Sequence, residues 1–213
     1  MTRFAILLGG DLTVTPRLKS QIRGARVIAA DSGMMHAAAL RVLPELWVGD
    51  FDSAGSELTV QYRDVPRETF PAEKDATDGA IAVDEAIRRG ATEIVLLGGL
   101  GGQTDHTAGL LGQSIEIARR GIACLLTSGV EEAWPLIGGR MSVELPPESR
   151  LSIIPFTDLQ GLDLSGVKWP LSKRDVPVGS TLTLSNVALG PVEIAVTSGY
   201  GVAIAYPPQA ADV

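Results

Sequence analysis

The chain is short of the residues that several common functions need. It has one cysteine, Cys124, so no disulfide can close within it. The place of Cys124 in the apolar run 122–126 suits a buried small side chain in a reducing compartment. Two histidines, His36 and His106, supply too few nitrogen ligands for a zinc site and support no Ser/His/Asp triad. Lysine and arginine number 18 against 25 acidic residues, a formal charge of −7 with no basic cluster to offset it. Phosphate backbones are bound by clustered cations, so this composition argues against a nucleic-acid partner. No run approaches the ~18 apolar residues of a membrane-spanning helix, and no membrane partner is expected. The brief apolar run at residues 4–8 lacks a cleavage-site pattern and leads directly into Asp11, so it reads as a first strand rather than a signal peptide. A cytoplasmic location follows as the expectation.

What is present is regular. A chain of 213 residues, 45% of them hydrophobic, is long enough to bury one large core or two small ones. The runs 4–8, 25–30, 46–48, 92–97 and 122–127 are continuously apolar, as in strands buried on both faces of a parallel sheet. Between them the sequence predicts a short helix from Pro16 that fades before Gly24, and an alanine-rich helix over 34–42. An irregular polar segment and a short strand at 68–70 follow. A helix opening at 74–78 presents Ala80, Val83 and Ile87, with Ile81 beside them, and another carries Leu110, Leu111, Ile115 and Ala118 inward. Such alternation predicts an α/β N-terminal domain over residues 1–128 with a doubly wound, Rossmann-like parallel sheet. From Gly129 the texture changes to short alternating runs at 131–137, 140–145, 150–155, 181–184, 192–196 and 202–206. These predict an all-β sandwich or barrel domain over 129–213.

In doubly wound sheets ligands bind beyond the carboxyl ends of the strands. Every acidic or glycine-rich stretch of the first domain falls at such an end. In Gly49-Asp50-Phe51-Asp52-Ser53, an extended backbone would point Asp50 and Asp52 to one side, about 6–7 Å apart. Two such charges ask for a metal ion or a shared proton between them, unless the segment is only a polar loop. Asp31, Asp78 and Asp105 would join them on one rim, although each alone could be a turn residue or a helix-start acid. An oxygen-rich rim of this kind suits Mg²⁺ bridged to substrate phosphates. The glycine-rich stretch 98–102, with Gly99, Gly101 and Gly102, lies between a strand and a helix, where backbone N–H groups favour phosphate or simply make a tight turn. Lys74 would place a positive charge beside those phosphates unless it is only a solvated surface residue. His106, at the opening of the helix, would contact nucleotide.

Three motifs in order, Gly49-Asp50-Phe51-Asp52-Ser53, Lys74-Asp75-Ala76-Thr77-Asp78 and the run from Gly98 to His106, resemble those of the thiamine pyrophosphokinase family. Gly166-Val167-Lys168-Trp169-Pro170-Leu171 and Thr183-Leu184-Ser185-Asn186 look like its second-domain motifs. The resemblance implies an ATP-dependent diphosphotransferase that moves the pyrophosphoryl group of ATP to the hydroxyl of thiamine, giving thiamine diphosphate and AMP. It implies metal and phosphate acids at Asp31, Asp50, Asp52, Asp78 and Asp105, and a thiamine-facing stretch at Ser185 and Asn186. It also implies a homodimer in which the β domain of one subunit helps form the thiamine site of the other. Asp78 or Asp105 would accept the hydroxyl proton. There are departures: Asp31 is followed by Ser32-Gly33-Met34-Met35 where the family commonly has two glycines and then Ala-Asn, and Gln103 stands where it often has arginine. No tryptophan lies in 201–205, where some members stack one on thiamine. Among the aromatics that remain, Trp169 is expected to pack on its own core, and Tyr200 to be exposed near thiamine. A pyrophosphokinase acting on a hydroxymethylpterin and a nucleotide-binding sensor without turnover are the rival readings.

Overall fold

The computed structural model describes residues 1–51, 56–70 and 76–209. They form two compact units: the first comprises Met1–Leu110 with Gly121–Gly129, the second Leu111–Arg120 and the chain from Val130 onward. The protein is a mixed α/β molecule with a parallel sheet region and an antiparallel one.

In the first unit β1 (Arg3–Leu7), β2 (Arg26–Ala30), β3 (Leu46–Gly49), β4 (Arg67–Thr69), β5 (Glu93–Leu97) and β6 (Ala123–Thr127) are all parallel, in the order β6-β5-β1-β2-β3-β4. Except in β4, an exposed strand at the sheet's end, their side chains alternate between two buried faces, which is why the apolar runs are unbroken. On one face Ala5, Leu7, Val27, Ala29, Trp47, Val95 and Leu97 pack with Leu18 and Ile22 of the α1 region (Pro16–Gln21). Met34, Ala37, Leu40, Tyr62 and Val65 complete that core. A separate helix, α4 (Asp78–Arg88), lies against β1, β2 and β3.

Local chemistry departs from the sequence reading in four places. The expected helix over 34–42 is a 3-10 helix, Asp31–His36, followed by one turn of α2 (Ala37–Leu40), which Arg41 ends in the left-handed conformation. Part of the segment expected to be irregular is a helix, α3 (Ser56–Gln61). The buried stripe of α4 is Ala82, Val83, Glu85 and Ala86, so of the residues named for it only Val83 is fully buried. Helix α5 (Thr104–Arg119) buries Leu111, Ser114, Ile115 and Ile117, leaving Leu110 and Ala118 part-exposed.

The second unit is antiparallel throughout its strands: β7 (Glu132–Leu136), β8 (Gly139–Val143), β9 (Arg150–Pro155), β10 (Leu159–Val167), β11 (Leu171–Val176), β12 (Asn186–Val196) and β13 (Gly201–Tyr206). β13 pairs with β7 and β9, while β10 pairs with β11 and β12. β12 links the two groups, since Asn186 and Val187 pair with β9 and its later residues with β8 and β10. Leu136, Ile153 and Ala203 share a core with Val143, Leu164, Val176 and Ile194. Residues 181–184, expected as a strand, form a turn whose buried Thr183 donates to the Ile153 carbonyl at 2.6 Å. β10 and β11 were not expected. Gly161 and Gly166, both with positive φ, accompany shifts of register along β10, and β11 keeps only Val176 fully buried, so neither shows clean alternation.

Candidate active site

In the first unit the connections from β1 run to β2 on one side, whereas its other neighbour is β5. The turns beyond β1 and β5 meet at that switch in direction. Leu8 donates to the Leu97 carbonyl at 2.8 Å and Gly10 to the Gly98 carbonyl at 3.1 Å. The approach is backbone to backbone. A Cβ on Gly10 would lie 2.3 Å from the Gly98 oxygen, and Gly98 itself has φ +73 with its missing Cβ 2.6 Å from the Leu8 oxygen. Gly99 is buried, turned toward Leu110, Leu8 and Leu126. Gly101 and Gly102 are exposed beyond it, as is Gln103, whose carbonyl accepts from Thr107 at 2.9 Å in the first turn of α5.

The acids are set by the strand ends. Ala30 pairs with Val48, so Asp31 and Gly49 face each other across neighbouring strands, and Asp50 follows at once. A Cβ on Gly49 would stand 3.2 Å from the Asp31 Cα. The fully buried Trp47 donates its indole N–H to the Asp31 carbonyl at 2.8 Å, pinning the backbone there, a role its apolar surroundings in sequence did not reveal. Phe51 has φ 64, so the chain leaves the extended conformation directly after Asp50. Its ring meets Trp47 edge-on at 5.0 Å, and the Arg67 guanidinium lies over both rings. Asp52 and Lys74 lie outside the described residues.

Asp78 opens α4 directly after the cap Thr77, whose hydroxyl oxygen accepts from the Ala80 N–H at 3.2 Å. The start of this helix sits at the carboxyl end of β1, where a Cβ on Gly79 would be 2.9 Å from Leu8 Cδ2. Asp105 and His106 are exposed at the opening of α5, and Asp105 Oδ1 accepts from the His106 N–H at 2.9 Å. Asp31, Asp50, Asp78 and Asp105 thus all belong to the carboxyl-terminal ends of the strands or the helix starts that follow. Among the described residues no group of three or more acids, histidines or cysteines is close enough to hold a metal ion by itself. Asp31 and Asp50 offer hard oxygen donors at neighbouring strand ends. That donor set fits Mg²⁺, which commonly uses one or two carboxylates and takes its remaining ligands from water and phosphate.

In the second unit Ser185 has φ 59, is exposed, and donates its N–H to Ser152 Oγ at 3.0 Å. Asn186 is buried, and its side chain is used locally. Its Oδ1 accepts from the N–H groups of Trp169 (3.1 Å) and Val187 (2.9 Å), and its Nδ2 donates to the Trp169 carbonyl (2.8 Å). It therefore holds the Trp169 turn. Trp169 does not pack into the core: it is 54% exposed with the Lys168 ammonium 4.7 Å above its ring. Tyr200, expected to be exposed, is half-buried under the Arg119 guanidinium, 5.4 Å from its centroid.

Carboxylates and a glycine turn at the ends of parallel strands, with an antiparallel unit alongside in sequence, define the class as an α/β protein with its ligand site beyond the strand ends. Comparison with known proteins makes it specific. The family profile "Thiamin pyrophosphokinase, catalytic domain" matches residues 20–126, and "Thiamin pyrophosphokinase, vitamin B1 binding domain" matches residues 140–200. The chain is 28% identical over 191 residues to the thiamine pyrophosphokinase of Bacillus subtilis, covering 87% of this chain and 89% of that one. It superposes on a crystal structure of thiamine pyrophosphokinase from Bacillus subtilis with a TM-score of 0.86 at 25% identity, over 98% of this chain and 100% of that one. The thiamin pyrophosphokinase of Candida albicans shares the fold, with a TM-score of 0.81 at 13% identity over 97% of this chain and 89% of that one. The chain belongs to the thiamin pyrophosphokinase family and is an enzyme of the thiamine diphosphokinase type.

Proposed function

We propose that this enzyme transfers the pyrophosphoryl group of ATP to the hydroxyl of thiamine, releasing AMP and thiamine diphosphate. The observation that carries the reading is the adjacency of Asp31 and Asp50 at neighbouring strand ends, on the edge where the glycine turns beyond β1 and β5 also lie. ATP phosphates lie along the 98–102 turn, with Gly101, Gly102, Gln103 and His106 around them. Asp31, Asp50, Asp52, Asp78 and Asp105 serve metal and phosphate, and Lys74 adds positive charge. Mg²⁺ held by the strand-end carboxylates would neutralise charge on the phosphates when bound. Asp31 and Asp50 supply its donors, and the backbone bond from Trp47 fixes the first of them. Asp78 or Asp105 takes the thiamine hydroxyl proton as the β-phosphorus is attacked in line.

Residues 1–128 form the nucleotide and metal domain with its doubly wound sheet, and 129–213 the thiamine and dimerisation domain, a β-sandwich or barrel. Ser185, on its left-handed turn, faces thiamine, while Asn186 acts through Trp169. The working unit is a cytoplasmic homodimer. No helix among the described residues is long and apolar enough to cross a membrane, and exposed Trp169, Val178, Leu182, Leu184 and Leu189 give the second unit apolar surface for a partner copy. Incubation with ATP, Mg²⁺ and thiamine should yield AMP and thiamine diphosphate one for one by mass spectrometry. AMP release that ignores thiamine, or that requires a hydroxymethylpterin, would overturn the substrate. ATP binding without AMP would overturn turnover itself.

A further inference from the structure

His36 is a half-buried polar side chain that none of the roles above uses. It ends the 3-10 helix Asp31–His36 with Nε2 2.9 Å from the Gly10 carbonyl oxygen. A carbonyl only accepts, so Nε2 carries the proton in this contact. Gly10 donates its own N–H to the Gly98 carbonyl at 3.1 Å. It is thereby held at both polar atoms, and the segments following β2, β1 and β5 are joined in series through it. Burial lowers the pKa of the imidazole, against the opposing pull of the Gly10 and Leu8 carbonyls and the Asp11 charge. The ring is therefore neutral at neutral pH, when it has one N–H to give.

We propose that His36 is a positioning residue for the nucleotide: by fixing Gly10 it holds the 98–102 turn in the shape that receives ATP phosphates. This rests on the assignment of that turn to phosphate made above. The register between the turns has little slack, since a Cβ on Gly10 or Gly98 would already meet backbone oxygen. Loss of one clamp therefore loosens donors that have to be preorganised before ATP arrives.

The test is equilibrium titration of ATP with Mg²⁺ present, together with KM for each substrate and a melting curve. It is run on the wild type, His36→Leu, His36→Asn, His36→Gln and Gln103→Glu. A glutamine amide reaches the position of Nε2 and an asparagine amide does not. His36→Leu and His36→Asn should weaken ATP binding about three- to tenfold, the effect of one hydrogen bond, and leave the thiamine KM unmoved. His36→Gln should return ATP affinity to within about twofold of wild type. A merely structural role would lower the melting temperature of the Leu and Asn variants without this split between substrates. Gln103→Glu keeps shape but adds a negative charge to the turn, so it weakens ATP binding if the turn receives phosphate. If Gln103→Glu weakens ATP while all His36 variants bind as wild type, the proposal is overturned and the phosphate assignment stands. If neither weakens ATP, both fall. A His36→Gln variant as weak as His36→Leu would also overturn the proposal.

Discussion

Gln103 is exposed where α5 begins, and its carbonyl accepts from Thr107 in the first helix turn. A guanidinium there adds fixed charge and a fork of donors, and charge-assisted bonds contribute about 1.5–3 kcal/mol against about 1 for neutral ones. Gln103→Arg should therefore lower the ATP dissociation constant several-fold, by a factor that shrinks as salt rises. Unchanged affinity would mean that Gln103 does not face phosphate. Thiamine carries a permanent positive charge, for which an exposed ring is a partner worth roughly 0.5–2 kcal/mol. Each ring already has a cation over one face, Lys168 at Trp169 and Arg119 at Tyr200, but Trp169 is the more exposed of the two, at 54% against a half-buried Tyr200. Trp169→Ala should raise the thiamine KM with little change in melting, and Tyr200→Ala should affect melting more than KM. The reverse pattern would return the role to Tyr200. At this scale the position of Asp31 and Asp50 just beyond β2 and β3 was legible because strand ends announce themselves in an apolar run. The bond from Trp47 and the clamp by His36 were not, since each joins residues far apart in the chain through register that only the folded sheet defines.

The ends of the strands remote from the site carry a different device. Glu45, just before β3, accepts from Arg26 at 2.8 and 2.7 Å and from Arg89 at 2.6 Å. Arg89 also reaches Glu85, which takes two bonds from Arg88 at 2.7 and 2.6 Å. The network ties the end of α4 to the start of β2 and β3. Hydrogen bonding to Arg26 holds the Glu45 carboxyl below its ordinary value of 4.5, against the cost of burial and with further help from Arg89. Glu85 is depressed in the same sense, first by Arg88. A carboxyl depressed in the folded state stabilises fully above its unfolded value and loses that contribution as pH falls through the folded one. Glu45→Gln should thus lower the melting temperature at pH 7, and the gap to wild type should close as pH drops from about 4.5 downward. A gap independent of pH would mean that the charge of Glu45 is not what stabilises. The parallel strands were legible because burial on both faces leaves an unbroken apolar run. The helix α3 lay in a polar stretch without a sustained stripe, and β10 and β11 were hidden by glycine bulges and an exposed edge.

For the molecule as a whole, the change of texture near Gly129 made two folding patterns visible, because a period of two cannot be mistaken for alternating helices and buried strands over so long a stretch. Substrate identity was visible only through the grouped motifs, since no single stretch of the antiparallel unit encodes thiamine chemistry. The proposed homodimer predicts a mass near twice that of the 22.4 kDa chain by light scattering. Leu184→Glu, a charge placed on exposed apolar surface of the second unit, should shift it toward monomer and weaken thiamine use more than ATP binding. A wild type that stays monomeric at working concentration would remove the shared site. In the proposed mechanism the reaction turns on carboxylates at the strand ends, and turnover of Asp50→Asn at saturating ATP, Mg²⁺ and thiamine measures that dependence most directly. The expected result is a loss of at least about 100-fold in kcat, with thermal stability in the absence of Mg²⁺ unchanged or higher because a repulsive charge is gone. Near-normal turnover by this folded variant would contradict the assignment of Asp50 to the metal and phosphate chemistry.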